Sequence, residues 1–273
     1  MASYAGTYGQ TYARLYPGRV RTLALDGSGS HVATGEWERL QLADAKANES
    51  LFRRFLDWCE KDAACSRIGS DPTRVWQTLV AKAERNPIPA PTAGVHYDGR
   101  DLRGHALGMV YRGPAEWVKL GQAIKKAQAG DASGFASAGA RLPYIGVPTG
   151  FTECLDFPRP ASAAEVESMR ARSRKVAPNT GEPFTYVAML GCVGWPLPVT
   201  NPPKPMPKGL PPFLGAGAWR ESDLVKPVLA QVPGSGLIAH DGPGHTLYLD
   251  NECARAHMNR YFTDRVVPRN AAC

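Results

Sequence analysis

The sequence contains no apolar run approaching the ~20 residues of a membrane-spanning helix, so no membrane span is expected. It has no basic block longer than Arg53-Arg54 or Lys125-Lys126. The net charge of +7 is therefore scattered over the chain, and a nucleic-acid partner is not expected. There is no C-x-x-C pair, and no cysteine stands at zinc-ligand spacing from a histidine, so no metal site is expected; no motif asks for a cofactor either. No secretory leader precedes residue 1. Residues 28–205 lack good strand signals.

What is present is a 273-residue chain, 43% apolar, with enough hydrophobic material for one large domain or two small ones. Its six cysteines are Cys59, Cys65, Cys154, Cys192, Cys253 and Cys273. Six cysteines allow fifteen pairings. The simplest is sequential: Cys59–Cys65, Cys154–Cys192 and Cys253–Cys273. A cysteine as the last residue points to a bridge, because free ends fray. Disulfides imply an oxidising compartment. That conflicts with the lack of a leader and suggests a missing N-terminus.

Along the chain, Thr7 to Tyr16 places Tyr8, Tyr12, Leu15 and Tyr16 on one helical face, stopped by Pro17-Gly18. Val20 to Leu25 reads as a buried strand. The middle is helical. Trp37 to Cys59 repeats apolar residues every four positions; Asp71-Pro72 opens another helix; Asp101 to Tyr111 and Pro114 to Ala129 are two more. Ser162 and Glu165 form a capping box for a helix to about Val176. Asn201 to Pro212 is a proline-rich connector. Phe213 to Trp219 reads as a strand, Leu224 to Val232 as a short helix, Gly236 to Ala239 as the last strand and Asn251 to Phe262 as the final helix.

Two local sequences carry chemistry. Met1-Ala2-Ser3-Tyr4-Ala5-Gly6 is a degraded G-x-S-x-G elbow, in which a serine sits on a sharp turn opening a helix. Asp241-Gly242-Pro243-Gly244-His245 puts a histidine on a glycine- and proline-rich loop after a short strand. Together they suggest a serine hydrolase. His31, His96, His105, His240 and His257 lack such context and are read as surface residues. Glu153 and Asp156, flanking Cys154, are candidates for holding a substrate amino group.

The run Ser3 to Pro17 followed by Val20 to Gly27 resembles the nucleophile elbow, helix and next strand of secreted actinobacterial tripeptidyl aminopeptidase-like α/β-hydrolases. The resemblance continues at Trp58-Cys59 with Cys65, at Cys192 with Trp195-Pro196, at Pro233-Gly234-Ser235, and from Asp241 to His245 through Cys253 to Cys273. It implies the C-terminal part of an α/β-hydrolase fold, a half sheet with a large helical cap insertion. Residues 1–30 and 211–273 would form the core and 31–210 the cap. It implies Ser3 as nucleophile, His245 as general base and the Tyr4 backbone amide as oxyanion donor, with local disulfides that agree with the sequential pairing. The acid is expected at Glu221, with Asp223 as the alternative. Met1 and Ala5 replace the family's glycines, and the family carries well over a hundred residues before the elbow. The chain as given is therefore expected to be impaired. The resemblance implies a secreted monomer acting on short peptides or small esters through an acyl-enzyme. The alternative is a non-catalytic remnant or binding protein derived from such a hydrolase.

Overall fold

A computed structural model describes residues 1–273 apart from 64, 66–67, 137–149, 161, 182–189 and 220. In chain order the elements are α1 (Ala5–Leu15), β1 (Ala24–Asp26), α2 (Glu36–Lys61), α3 (Pro72–Arg85), β2 (Ile88–Ala90), β3 (Val95–Tyr97), α4 (Gly99–Val110), α5 (Pro114–Gln128), α6 (Gly150–Asp156), α7 (Ala163–Val176), β4 (Leu214–Ala218), α8 (Glu221–Leu229), β5 (Gly236–His240), α9 (Leu247–Asp250), α10 (Glu252–Asp264) and β6 (Asn270–Ala272). The chain divides into two compact units. One is Met1–Asp44, Thr152–Arg159 and Pro196–Cys273; the other is Ala45–Phe151 and Pro160–Trp195.

The first unit is built on a parallel sheet of order β1-β4-β5-β6. Residue 2 adds a further parallel bridge to Asp26 on the outer side of β1. Helices cover both faces, as a parallel sheet requires. Leu23 and Leu25 pack with Ala13 of α1 and with Val225 and Val228 of α8. Ala24, Leu214, Ala216, Ala218 and Ile238 pack with Met258 and Tyr261 of α10. β4 reads Leu-Gly-Ala-Gly-Ala, and its glycines let α8 approach closely. A Cβ on Gly215 would lie 2.8 Å from Val225 and 2.7 Å from Leu229.

One feature adds to the sequence expectation and two differ from it. Tyr8, Tyr12, Leu15 and Tyr16 do share a face of α1, but that face is exposed, at 46%, 46%, 65% and 53%. The buried face is the small one, Gly6, Thr7, Gly9, Gln10 and Ala13, which allows close packing. β5 is not the last strand: β6 pairs beside it in parallel, too short and too small-residued to signal itself. In the second unit β2 and β3 form an antiparallel pair of three residues each, where no strand was expected.

Elsewhere in the second unit local signals hold. Asp71 caps α3 by accepting from the Arg74 amide at 2.9 Å, with Pro72 in the first turn. Ser162 and Glu165 form the reciprocal capping box of α7. Glu49, 4% exposed, accepts from the Asn179 amide at 3.0 Å, the Asn179 side chain at 2.7 Å and the Thr180 amide at 3.2 Å. Asn179 in turn takes the Trp76 indole N–H on its carbonyl at 2.9 Å, so a buried carboxylate organises this loop.

Candidate active site

Ser3 stands at the end of a short extended segment that runs beside β1. The Asp26 amide donates to the Met1 carbonyl at 3.0 Å, and the Ser3 amide donates to the Asp26 carbonyl at 2.8 Å. At Ser3 itself the backbone turns left-handed, with φ +53°, and α1 begins two residues later. A serine pays for that conformation and keeps it only where its surroundings over-determine it. Ser28 supplies one restraint, its hydroxyl donating to the Ser3 carbonyl at 2.9 Å. A Cβ on Gly6 would run into that Ser28 side chain. The glycine this elbow needs is therefore Gly6. Ala5 has no left-handed φ and tolerates its methyl. Among the described residues the Tyr4 amide finds no acceptor, as expected at the positive end of a helix.

His245 lies on the loop after β5. Its Nδ1 is 2.9 Å from Glu221 Oε1, at the start of α8. The Glu221 hydrogen bond and charge raise the His245 pKa above 6.5, against the opposing pull of burial. Asp223, the alternative acid, pairs with Lys226 at 2.5 Å. The next residue, Thr246, is left-handed at φ +62°, and so is Trp219 ahead of Glu221, at φ +40°. Among the described residues, three of the four left-handed non-glycine residues thus stand at the loops that carry Ser3, Glu221 and His245; the fourth, Arg265, ends α10.

Gly27 joins these loops. It is left-handed at φ +59°, and a Cβ there would stand 2.8 Å from His245 Nδ1. The adjoining Asp26, 4% exposed, holds the far side of the histidine loop by accepting from the Leu247 amide at 2.9 Å and the Tyr248 amide at 2.9 Å. Ser3 and His245 therefore both rest on the Asp26–Gly27 corner. Among the described residues no hydrogen bond joins the Ser3 hydroxyl to the imidazole, a common state of unliganded sites. Asp26 and Gly27 were missed by sequence reasoning, although an Asp-Gly directly after a buried strand was their signal.

Glu153 and Asp156 are not open carboxylates. Glu153 pairs with Arg159, whose side chain is 2% exposed and whose pKa burial lowers to about 10. Asp156, 6% exposed, accepts from the Tyr4 hydroxyl at 2.6 Å and from Asn201 Nδ2 at 2.7 Å. Two histidines read as surface residues are buried, His31 at 0% and His105 at 7% exposure. Burial lowers the pKa of each. His257 lies with Cys253 and Cys273 in a cluster whose ligand atoms are within 4.8 Å, a grouping the sequence spacing did not reveal. The two sulfurs are spent on one another in a disulfide and offer no thiolate.

Comparison with known proteins agrees with this picture. Residues 177–273 match the family described as TAP-like protein. Over 298 aligned residues the chain is 26% identical to the serine protease Hip1 of Mycobacterium tuberculosis and to that of Mycobacterium bovis. The alignment covers 99% of this chain and 56% of each relative, so the chain spans about half the length of the curated relatives it matches. A parallel sheet covered by helices on both faces, a family match over residues 177–273 and a likeness to a serine protease along nearly the whole chain together mark an α/β-hydrolase fold whose C-terminal region resembles the TAP-like proteins.

Proposed function

We propose that this chain works as a serine hydrolase that cleaves short peptides through an acyl-enzyme. The observation that carries the reading is the meeting of a left-handed Ser3 and a Glu221-bonded His245 on the single corner Asp26–Gly27. In this reading the His245 imidazole takes the proton of the Ser3 hydroxyl as its oxygen attacks the substrate carbonyl. Glu221 holds Nδ1–H, which leaves Nε2 as the base, and it stabilises the imidazolium that forms. The Tyr4 amide donates to the oxyanion. The imidazolium then protonates the leaving amine, and water activated by the same histidine releases the acid. Peptide substrates are favoured by the likeness to a serine protease, and small esters offer the simpler assay.

We further propose an extracellular setting. None of the cysteines is free, which suits an oxidising compartment, and among the described residues no helix is long and apolar enough to cross a membrane.

The test is turnover of a fluorogenic tripeptide and a p-nitrophenyl ester by the full chain, with covalent labelling by a fluorophosphonate. The expected result is labelling at Ser3, with turnover and label both abolished in Ser3→Ala. Turnover and labelling no different in Ser3→Ala would overturn the reading and favour a non-catalytic binding role.

A further inference from the structure

The side chain of Tyr4 is tied down far more firmly than a merely space-filling aromatic requires. We propose that Tyr4, through its phenol, is a positioning residue that fixes the Ser3–Tyr4 peptide by anchoring it to a buried Asp156 network. The inference rests on the hydrolase reading above, in which that peptide's N–H serves the oxyanion.

The Tyr4 hydroxyl donates to Asp156 Oδ2 at 2.6 Å, the length of a charge-assisted bond. Burial and the Asp156 charge hold the phenol pKa far above its ordinary value, so the hydroxyl remains a donor at any working pH. The other Asp156 oxygen accepts from Asn201 Nδ2 at 2.7 Å, and the Asp156 carbonyl is 2.8 Å from His31 Nε2. Arg14 lies 2.7 Å from His31 Nδ1. A guanidinium only donates and a carbonyl only accepts, so His31 is the neutral tautomer with its proton on Nε2. Asn201 is bonded to Thr11, and Thr11 accepts from Arg14 at 2.9 Å. Thr11 and Arg14 belong to α1, and His31 follows β1. The network therefore closes on both elements that flank the elbow.

Such closure matters because the elbow is strained. Ser3 is held on its own side by Asp26 and Ser28. Among the described residues Tyr4 makes no side-chain cap and its amide meets no acceptor, so there the phenol is its one polar tether beyond the helix. Loosening that tether leaves the peptide free to relax, which moves the oxyanion donor and the serine oxygen together.

The experiment compares Tyr4→Phe, Asp156→Asn and the exchange Asp156→Asn/Asn201→Asp in the full chain. It follows p-nitrophenyl ester kinetics and the fluorophosphonate labelling rate at Ser3. Removing the hydroxyl is expected to lower kcat about 10- to 100-fold with KM nearly unchanged, since misplacement by an ångström costs roughly that much. An asparagine at 156 can accept from Tyr4 or from Asn201 but not both, and is expected to lose a similar factor. The exchange reverses the amide–carboxylate pair and again offers Tyr4 an acceptor, so it is expected to recover most of the loss. A folded Tyr4→Phe with wild-type kcat, or an exchange no better than Asp156→Asn, overturns the tether. Should Tyr4→Phe fail to fold, the comparison of the two Asp156 variants decides alone. Wild-type chain that labels and turns over no faster than Ser3→Ala defeats the hydrolase reading itself, and the tether with it. Ser3-dependent turnover untouched by Tyr4→Phe defeats only the tether.

Discussion

Left-handed backbone at Ser3, Trp219 and Thr246 holds three side-chain-bearing loops in conformations that each cost about 1–3 kcal/mol. Single residues around them should be correspondingly sensitive. In the proposed mechanism the neutral imidazole is the base, so activity should rise with pH through the elevated His245 pKa. Glu221→Gln removes the main cause of that elevation and should move the acid limb of the pH–rate profile to lower pH. It should also lower kcat by about 10⁴, because a carboxamide favours the wrong tautomer. Asp223→Asn, at a half-exposed carboxylate that pairs with Lys226, should change kcat by less than about 2-fold, as surface substitutions do. The opposite ranking of the two variants in a pH-resolved ester assay would make Asp223 the acid. Gly27→Ala adds a methyl at a left-handed position 2.8 Å from the imidazole. It should destabilise the fold by about 1–3 kcal/mol and lower kcat by about 100-fold. A thermal melt with steady-state kinetics tests both; wild-type kcat would mean that the imidazole relocates without loss.

Among the elements, local and long-range signals separate cleanly. α3 and α7 were legible because their caps lie within three residues of the helix they start: Asp71 with Pro72, and Ser162 with Glu165. α1 was legible as a helix but not in its orientation. Periodicity says which residues share a face, while the fit of Gly6, Gly9 and Ala13 against β1 decides which face turns inward. Tyr261 shows how α10 is tied to the sheet. Its hydroxyl, 1% exposed with its residue, accepts from the Leu23 amide at 2.8 Å and donates to the Pro212 carbonyl at 2.7 Å. Tyr261→Phe strands both groups and should cost about 1–3 kcal/mol in urea denaturation. Tyr8→Phe, on the exposed face of α1, should stay within about 0.5 kcal/mol. Equal stability of the two variants would show that the buried hydroxyl contributes nothing net.

For the molecule as a whole, the disulfides act through the unfolded chain. Cys59–Cys65 and Cys253–Cys273 are bridged, and Cys154 and Cys192 are also disulfide-bonded. Non-reducing peptide mapping should return the sequential pairing, and free thiols at four or more positions would contradict it. Cys253–Cys273 closes a span of 20 residues and holds β6, beside β5, to α10. Replacing both by serine should cost about 3 kcal/mol by loop-closure entropy. A melting temperature unchanged in that double variant would show that β6 is held by its ladder alone.

By itself, the sequence determined what adjacent residues can settle. Helix caps are short-range hydrogen bonds, and the elbow at Ser3 and the glycine-rich turn before His245 are local backbone demands; Glu221, with Asp223 beside it, came only from the resemblance to a hydrolase family. The tertiary structure alone decided what depends on distant partners: the exposed aromatic face of α1, the pairing of β6, the burial of His31 and the anchoring of Tyr4 to Asp156. The Gly27 role is of the same kind, since its missing methyl matters only because His245 comes to lie against it. The physical reason is the same throughout. Burial and polar satisfaction are properties of a residue's neighbours in space, and for Tyr4 that neighbour stands 152 positions away along the chain.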